Sequence, residues 1–256
     1  MSSFYLTPPT SPSVPTESSS VEATSAKTLE HYHKHYNIQF TQSSHMPNAS
    51  KIKHGSPFSW QDINFVIYSN QLEIFARSET QTIKYHSFKK WLKENELNIN
   101  EYLLQYELHW KHNDIRFQSK IHHDEYTIQY PQDLIFHNKG DIKIKYNKFP
   151  YYFEEKVKHL CIWSKLTIPT DKNSEVGDIS KLSKQIIEKY LHKTFVTRGV
   201  KPQQIVWFKN WLSLQSVRSI SHIHVILYDV DDELIEELLE GDGGLLSLED
   251  YEEILA

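Results

Sequence analysis

The sequence predicts an α+β fold in which N-terminal helices are followed by an antiparallel sheet with a packed helix. Three observations predict it. Apolar residues recur at helical spacing from about residue 57 to residue 110. Beyond Asn113 the period shortens to strand-like alternation. One long amphipathic stretch, residues 179–196, then separates two pairs of strand-like segments.

Residues 1–28 are rich in Ser, Thr and Pro, with Pro8, Pro9, Pro12 and Pro15 close together. Residues 29–56 carry His31, His33 and His35 in alternation, then His45 and His54. Alternating imidazoles on a strand can hold a metal, but no acid or apolar pattern supports that here. This head, residues 1–56, buries too little apolar surface to offset its ordering entropy and is expected to be disordered. Order begins near Pro57. Ser59 caps a helix with Asp62 in its first turn, and Ile63, Val66, Ile67, Ile74 and Phe75 extend an apolar face to about Arg77. A second helix follows over 83–94 and a third over 100–110. Their aromatics, Trp91 and Trp110 among them, are read as core, as is Trp60.

Next come half-buried strands through Ile115, Phe117 and Ser119, through Tyr126 and Ile128, and through Ile142, Ile144 and Tyr146. A more apolar strand spans 157–168, and the long helix presents Leu182, Ile186, Tyr190 and Leu191. Pro202 breaks the chain before two last strands, 205–208 and 220–228. Short helices are expected at 232–240 and 247–255. The expected organisation is a head (1–56), one α+β domain (57–228) and an acidic tail (229–256).

Composition narrows the function. With 256 residues and 39% apolar content, the chain can bury a substantial core. Only 7 glycines are present, and no folded segment reads as a P-loop or a dinucleotide-binding turn. One cysteine, Cys161, excludes a disulfide framework and any Cys-based zinc cluster, and fits a reducing compartment. No apolar run approaches membrane length, and no secretory core opens the chain. The lysines are spread out and no nucleic-acid module is recognisable, so neither a membrane nor nucleic acid is expected as a partner. The net charge of −5 hides an asymmetry. Between Asp229 and Glu253 lie twelve acids and no Lys or Arg, which leaves +7 for the remainder. Two explanations stay open, a solvated tail or a shield over a site meant for anions.

The most informative segment is Ser219-Ile-Ser-His-Ile-His-Val-Ile-Leu-Tyr228. On a strand, His222 and His224 share one face, and Ser221, Ile223, Val225 and Leu227 share the other. Paired imidazoles suit nucleophilic catalysis at phosphorus, or metal ligation with a distant third ligand, or simply a hydrogen-bonded pair. No acid stands at a diagnostic metal spacing, so no metal and no cofactor are expected.

This strand resembles the signature strand of the histidine-triad superfamily of nucleotide hydrolases and transferases. Ser219, Ile220, His222, Ile223, His224 and Val225 match in register, Asn210 stands at an upstream strand end, and residues 158–165 resemble the superfamily's earlier His…Lys strand. The matching part spans about 141–228. The resemblance implies a catalytic set in which His224 is the nucleophile, His222 orients the reacting groups and Ser219 hydrogen-bonds the leaving group. It implies Asn210 and Lys165 as substrate contacts. On chemical grounds alone Arg218 is added as an anion contact, and His159 as a hydrogen-bonding group at the earlier strand. Three departures are Ile226 at the third histidine, Leu214-Gln-Ser-Val-Arg218 in place of a Gly-rich turn, and Leu166-Thr167 after Lys165.

A second similarity covers about residues 57–228. WQDINFVIYSNQLEIFARS (60–78), Phe149-Pro-Tyr-Tyr152, HLCIWSK and WFKNWLSLQSVRSISHIHVIL are similar to the fungal N-acetylglucosamine-induced protein family, which is defined by a domain of unknown function. It implies a cytoplasmic fungal protein of the N-acetylglucosamine response and supplies no reaction. Two function classes therefore stay open. One is a phosphoryl or nucleotidyl transferase acting on a nucleotide sugar or sugar phosphate. The other is a non-catalytic binding or regulatory protein that retains the pocket. Both imply a phosphorylated small molecule as partner, and the histidine-triad resemblance adds a homodimer.

Overall fold

The computed structural model describes residues 21–43, 46–116 and 129–256. His45 and the strand positions Phe117, Ser119, Tyr126 and Ile128 lie outside the described residues. Where the sequence suggests one domain over 57–228, the chain forms two compact units. Among the described residues, one comprises those up to 96 with 148–157, and the other those of 97–147 with 158–256. The return of residues 148–157 to the first unit is a tertiary event, sealed by a bridge between Phe58 and Phe153. No local pattern signals it.

Over the described residues 21–43 and 46–56 the first unit corrects the expectation of a disordered head. Helix α1 (Val21–His35) leads through Asn37, at a φ of 51°, into an antiparallel hairpin of β1 (Ile38–Ser43) and β2 (Met46–Lys53). The alternating histidines hide an apolar face: Tyr32, Tyr36, Ile38 and Ile52 are buried, and Tyr32 packs on Phe65 with ring centroids 5.5 Å apart. Helix α2 (Trp60–Tyr68) starts at the expected Ser59 cap, which proves to be a capping box: Ser59 accepts from the Asp62 amide and Asp62 accepts from the Ser59 amide. It stops at Ser69, and the expected apolar face continues as one 3-10 turn at Leu72–Ile74. Helix α3 (Glu79–Glu94) is capped by Ser78. Trp91, expected in the core, is 43% exposed and stacks on Phe88 instead.

In the second unit, α4 (Ile99–Tyr102) runs on into a π-helical turn at Leu103–Leu108 that ends at His109, φ 53°. A four-stranded sheet follows, in the order β3 (Ile142–Tyr146), β4 (Val157–Ser164), β6 (Ser221–Tyr228), β5 (Ile205–Phe208). The pairs β3–β4 and β5–β6 are antiparallel. Alternation gives the sheet one apolar face toward α5 (Lys181–Thr194). Ile144, Leu160, Ile162, Ile223, Val225 and Leu227 pack against Ile186, Ile187 and Tyr190 of α5. On the other face Cys161 and Trp163 join Leu104, Leu108 and Trp110.

The acidic segment is a folded part of this unit, which corrects its reading as a tail. Helices α6 (Asp232–Leu238) and α7 (Leu248–Leu255) insert Ile235, Leu238 and Tyr251 into the core of α5 and the sheet. Its acids also meet the basic body directly. Glu240 pairs with Lys143 at 3.0 Å and Lys145 at 2.5 Å, Asp232 with Lys158 at 2.6 Å, and Glu253 with Lys189 at 2.5 Å. Among the described residues no helix is long and apolar enough to cross a membrane.

Candidate functional site

The sheet face opposite α5 carries the candidate chemistry. Alternation aims His159, Cys161 and Trp163 of β4 and His222, His224 and Ile226 of β6 to that side. The register of β5 against β6 sets Phe208 opposite His224. Their rings stack 4.7 Å apart at 12°. His159, His222, His224 and Asn210 are all buried.

These side chains form one hydrogen-bond chain. His224 Nδ1 lies 2.9 Å from His159 Nε2, and His224 Nε2 lies 3.2 Å from Asn210 Nδ2. Asn147 Nδ2 is 3.1 Å from His159 Nε2, and the Cys161 Sγ is 3.6 Å from His224 Nδ1. With the Asn210 amide nitrogen facing it, His224 Nε2 accepts and its Nδ1–H donates to His159. Turning the amide over reverses both donors. In either arrangement both ring nitrogens of His224 are engaged. As oriented, Asn210 Oδ1 is buried and has no hydrogen bond among the described residues.

His222 stands beside this chain, its ring 5.3 Å from that of His224. It leans on Trp163 at 4.3 Å, and its Nδ1–H donates to the Ile220 carbonyl at 3.1 Å. Burial pushes its pKa down to about 4; the Ile220 carbonyl opposes that and Lys209 adds to it. His222 is therefore neutral at physiological pH. Lys209 is itself buried, and its ammonium is held down to about 8 by burial, against the attraction of Asp178.

The structure thus brings together four of the seven predicted site residues: His159, His222, His224 and Asn210. Lys165 is drawn elsewhere, 4.0 Å from both Asp114 and Asp141 with its ammonium over Trp110. Arg218 is exposed. Ser219 Oγ is buried without a hydrogen bond among the described residues, and neither residue joins the histidine chain. Three participants were missed. Cys161 had a usable signal, since it follows His159 by two residues on one strand and so shares its face. Asn147 and Lys209 had none, because only the turn after β3 and the end of β5 bring them to this face.

The model of the family described as protein of unknown function (DUF3605) matches residues 59–228. N-acetylglucosamine-induced protein 1 of Candida albicans is 64% identical over 231 residues, 89% of this chain and 91% of that protein. An uncharacterized protein of Saccharomyces cerevisiae is 30% identical over 174 residues, 67% of this chain and 79% of that one. Among solved structures, the crystal structure of HTC1 matches with a TM-score of 0.55 at 27% identity, covering 71% of this chain and 92% of its own.

Proposed function

This chain belongs to the DUF3605 family of proteins of unknown function, and on that premise we propose that it serves the fungal N-acetylglucosamine response in the cytoplasm by binding a phosphorylated sugar or nucleotide sugar without turning it over. The name of the Candida albicans relative supports the response. One observation carries the absence of turnover. Both nitrogens of His224, the residue matching the nucleophile, are held in buried hydrogen bonds at 2.9 and 3.2 Å. A nucleophile needs a lone pair facing its substrate, and both nitrogens of this imidazole face protein groups instead.

The phosphate is assigned to the end of the β5–β6 pair. Phe208 pairs with His224, so Lys209 after β5 and Arg218 and Ser219 ahead of β6 leave the sheet at the same end. Lys209 makes no ion pair among the described residues, and Ser219 Oγ makes no hydrogen bond. A buried hydroxyl without a partner costs about 1–3 kcal/mol, and an anionic ligand supplies an acceptor for Ser219 Oγ and a counter-charge for Lys209. Asn210, engaged with His224, is left out of the phosphate contacts.

The test is thermal-shift screening against nucleotides, nucleotide sugars and hexosamine phosphates, with product sought by mass spectrometry. A ligand present at 100 times its dissociation constant adds about 2.7 kcal/mol. The expected result is a raised Tm without product. Lys209→Met is expected to lose that shift while keeping or raising the unliganded Tm, because a buried ammonium is removed. Product formation abolished by His224→Ala would return His224 to the role of nucleophile. A flat response to every compound would remove the phosphorylated ligand.

A further inference from the structure

We propose that His159, Cys161 and His224 form a binding site for one divalent transition-metal ion, Zn²⁺ by its donor set. The inference goes beyond the ligand reading and uses none of the atoms assigned to the phosphate. The three ligand atoms all lie within 4.8 Å of one another, and all three residues are buried. Two of them, at alternate positions of β4, share a face, and β6 brings the third from the adjacent strand. The positions therefore belong to a rigid sheet rather than to loops.

The separations suit a tetrahedral ion. Zinc–nitrogen bonds of about 2.05 Å and a zinc–sulfur bond of about 2.3 Å imply ligand edges of about 3.4 Å between nitrogens and about 3.6 Å from nitrogen to sulfur. Cys161 Sγ and His224 Nδ1 are 3.6 Å apart, and His159 Nε2 and His224 Nδ1 are 2.9 Å apart. An ion entering between the two imidazoles replaces their mutual hydrogen bond and widens that edge by about half an ångström. A thiolate with two imidazoles is a zinc donor set with a fourth position left for water. A single cysteine is enough, although the sequence excludes a cluster of several.

The surroundings of His224 fit as well. A histidine bound through Nδ1 carries its proton on Nε2 and needs an acceptor beyond the metal. His224 Nε2 faces the Asn210 amide, whose buried Oδ1 has no hydrogen bond among the described residues. Turning that amide over satisfies both atoms. On binding, the S–H bond of Cys161 breaks, its electron pair forms the sulfur–metal bond, and the proton leaves to solvent, so affinity falls as pH falls.

The full chain, purified without an affinity tag and stripped with a chelator, is titrated with Zn²⁺ and, as a spectroscopic probe, Co²⁺. The expected result is one ion per chain, a rise in Tm with Zn²⁺, and a thiolate-to-cobalt charge-transfer band. Because Cys161 is the one cysteine of the chain, that band in the unmutated protein reports this site alone, and the histidines outside it cannot produce it. Cys161→Ser is expected to abolish the band, and Asn210→Ala to weaken Zn²⁺ binding by about 10–100-fold. Cobalt bound without the band, Zn²⁺ affinity unchanged in Cys161→Ser, or no ion retained by the unmutated chain would each overturn the proposal.

Discussion

His222 shows how burial turns a common residue into a pH-sensitive one. Its folded pKa is about 4, against 6.5 for an exposed imidazole. Between those values the unfolded chain binds the proton and the folded chain does not, so stability rises with pH across that window. Full stability is therefore present above about pH 6.5 and declines as pH falls toward 4. Urea melts at stepped pH are expected to show this slope, and His222→Leu to flatten it. An equal slope in that variant would assign it to other groups. The residue scale was partly legible. The alternation Ser221-His-Ile-His-Val225 placed His222 and His224 on one face and Ile223 and Val225 in the core, as the structure has them. Lys165 lies apart from the histidine chain: its place just after β4 was readable and its partners, Asp114 and Asp141, were not.

Among the elements, capping and periodicity served well where an element is stabilised locally. The cap at Ser59, the amphipathic stretch of α5, the alternation of β3 and the short acidic helices all appear close to their expected bounds. The loop joining α6 to α7 rests instead on a close approach. A Cβ at Gly244 would fall 2.5 Å from the Lys193 carbonyl carbon, against backbone that cannot rotate away. Its amide donates to Thr194 Oγ1 at 3.0 Å, and Tyr190 Oη donates to the Asp242 carbonyl at 2.8 Å. Gly244→Ala is expected to cost about 1–3 kcal/mol through overpacking, read as a lowered urea midpoint with an unchanged slope. A variant as stable as the parent would mean that this loop yields easily.

At the scale of the whole molecule, the charge asymmetry becomes an internal contact. The acidic segment neutralises lysines on β3, β4 and α5 and buries Ile235, Leu238 and Tyr251. Exposed ion pairs contribute only about 0–1 kcal/mol each, whereas each fully buried large apolar side chain contributes about 1.5–3 kcal/mol. The apolar term dominates. Removing residues 229–256 is thus expected to unfold the second unit, while 0.5 M salt with the intact chain is expected to lower its Tm only slightly. A soluble, cooperatively folding truncation would return the segment to the status of a solvated tail. Asp250 adds an acid limit. Burial raises its pKa, but the hydrogen bond to Lys193 and the backbone amide of Ser247 outweigh this and hold it at about 2. Its contribution is complete above about 3.8 and is lost as pH falls through about 2.

The sequence by itself determined the α+β class, the bounds of most elements, the face on which the paired histidines sit and the family to which the chain belongs. Each of these is written in local periodicity, in a cap, or in residues shared with relatives. Tertiary structure alone decided that the His-rich head folds, that residues 148–157 return to the first unit, and that the acidic segment completes the core of the second. It also decided that Cys161, Asn147 and Asn210 gather around His159 and His224. These outcomes depend on contacts between residues far apart in the chain, and burial against a distant partner leaves no period and no spacing in the sequence to be read.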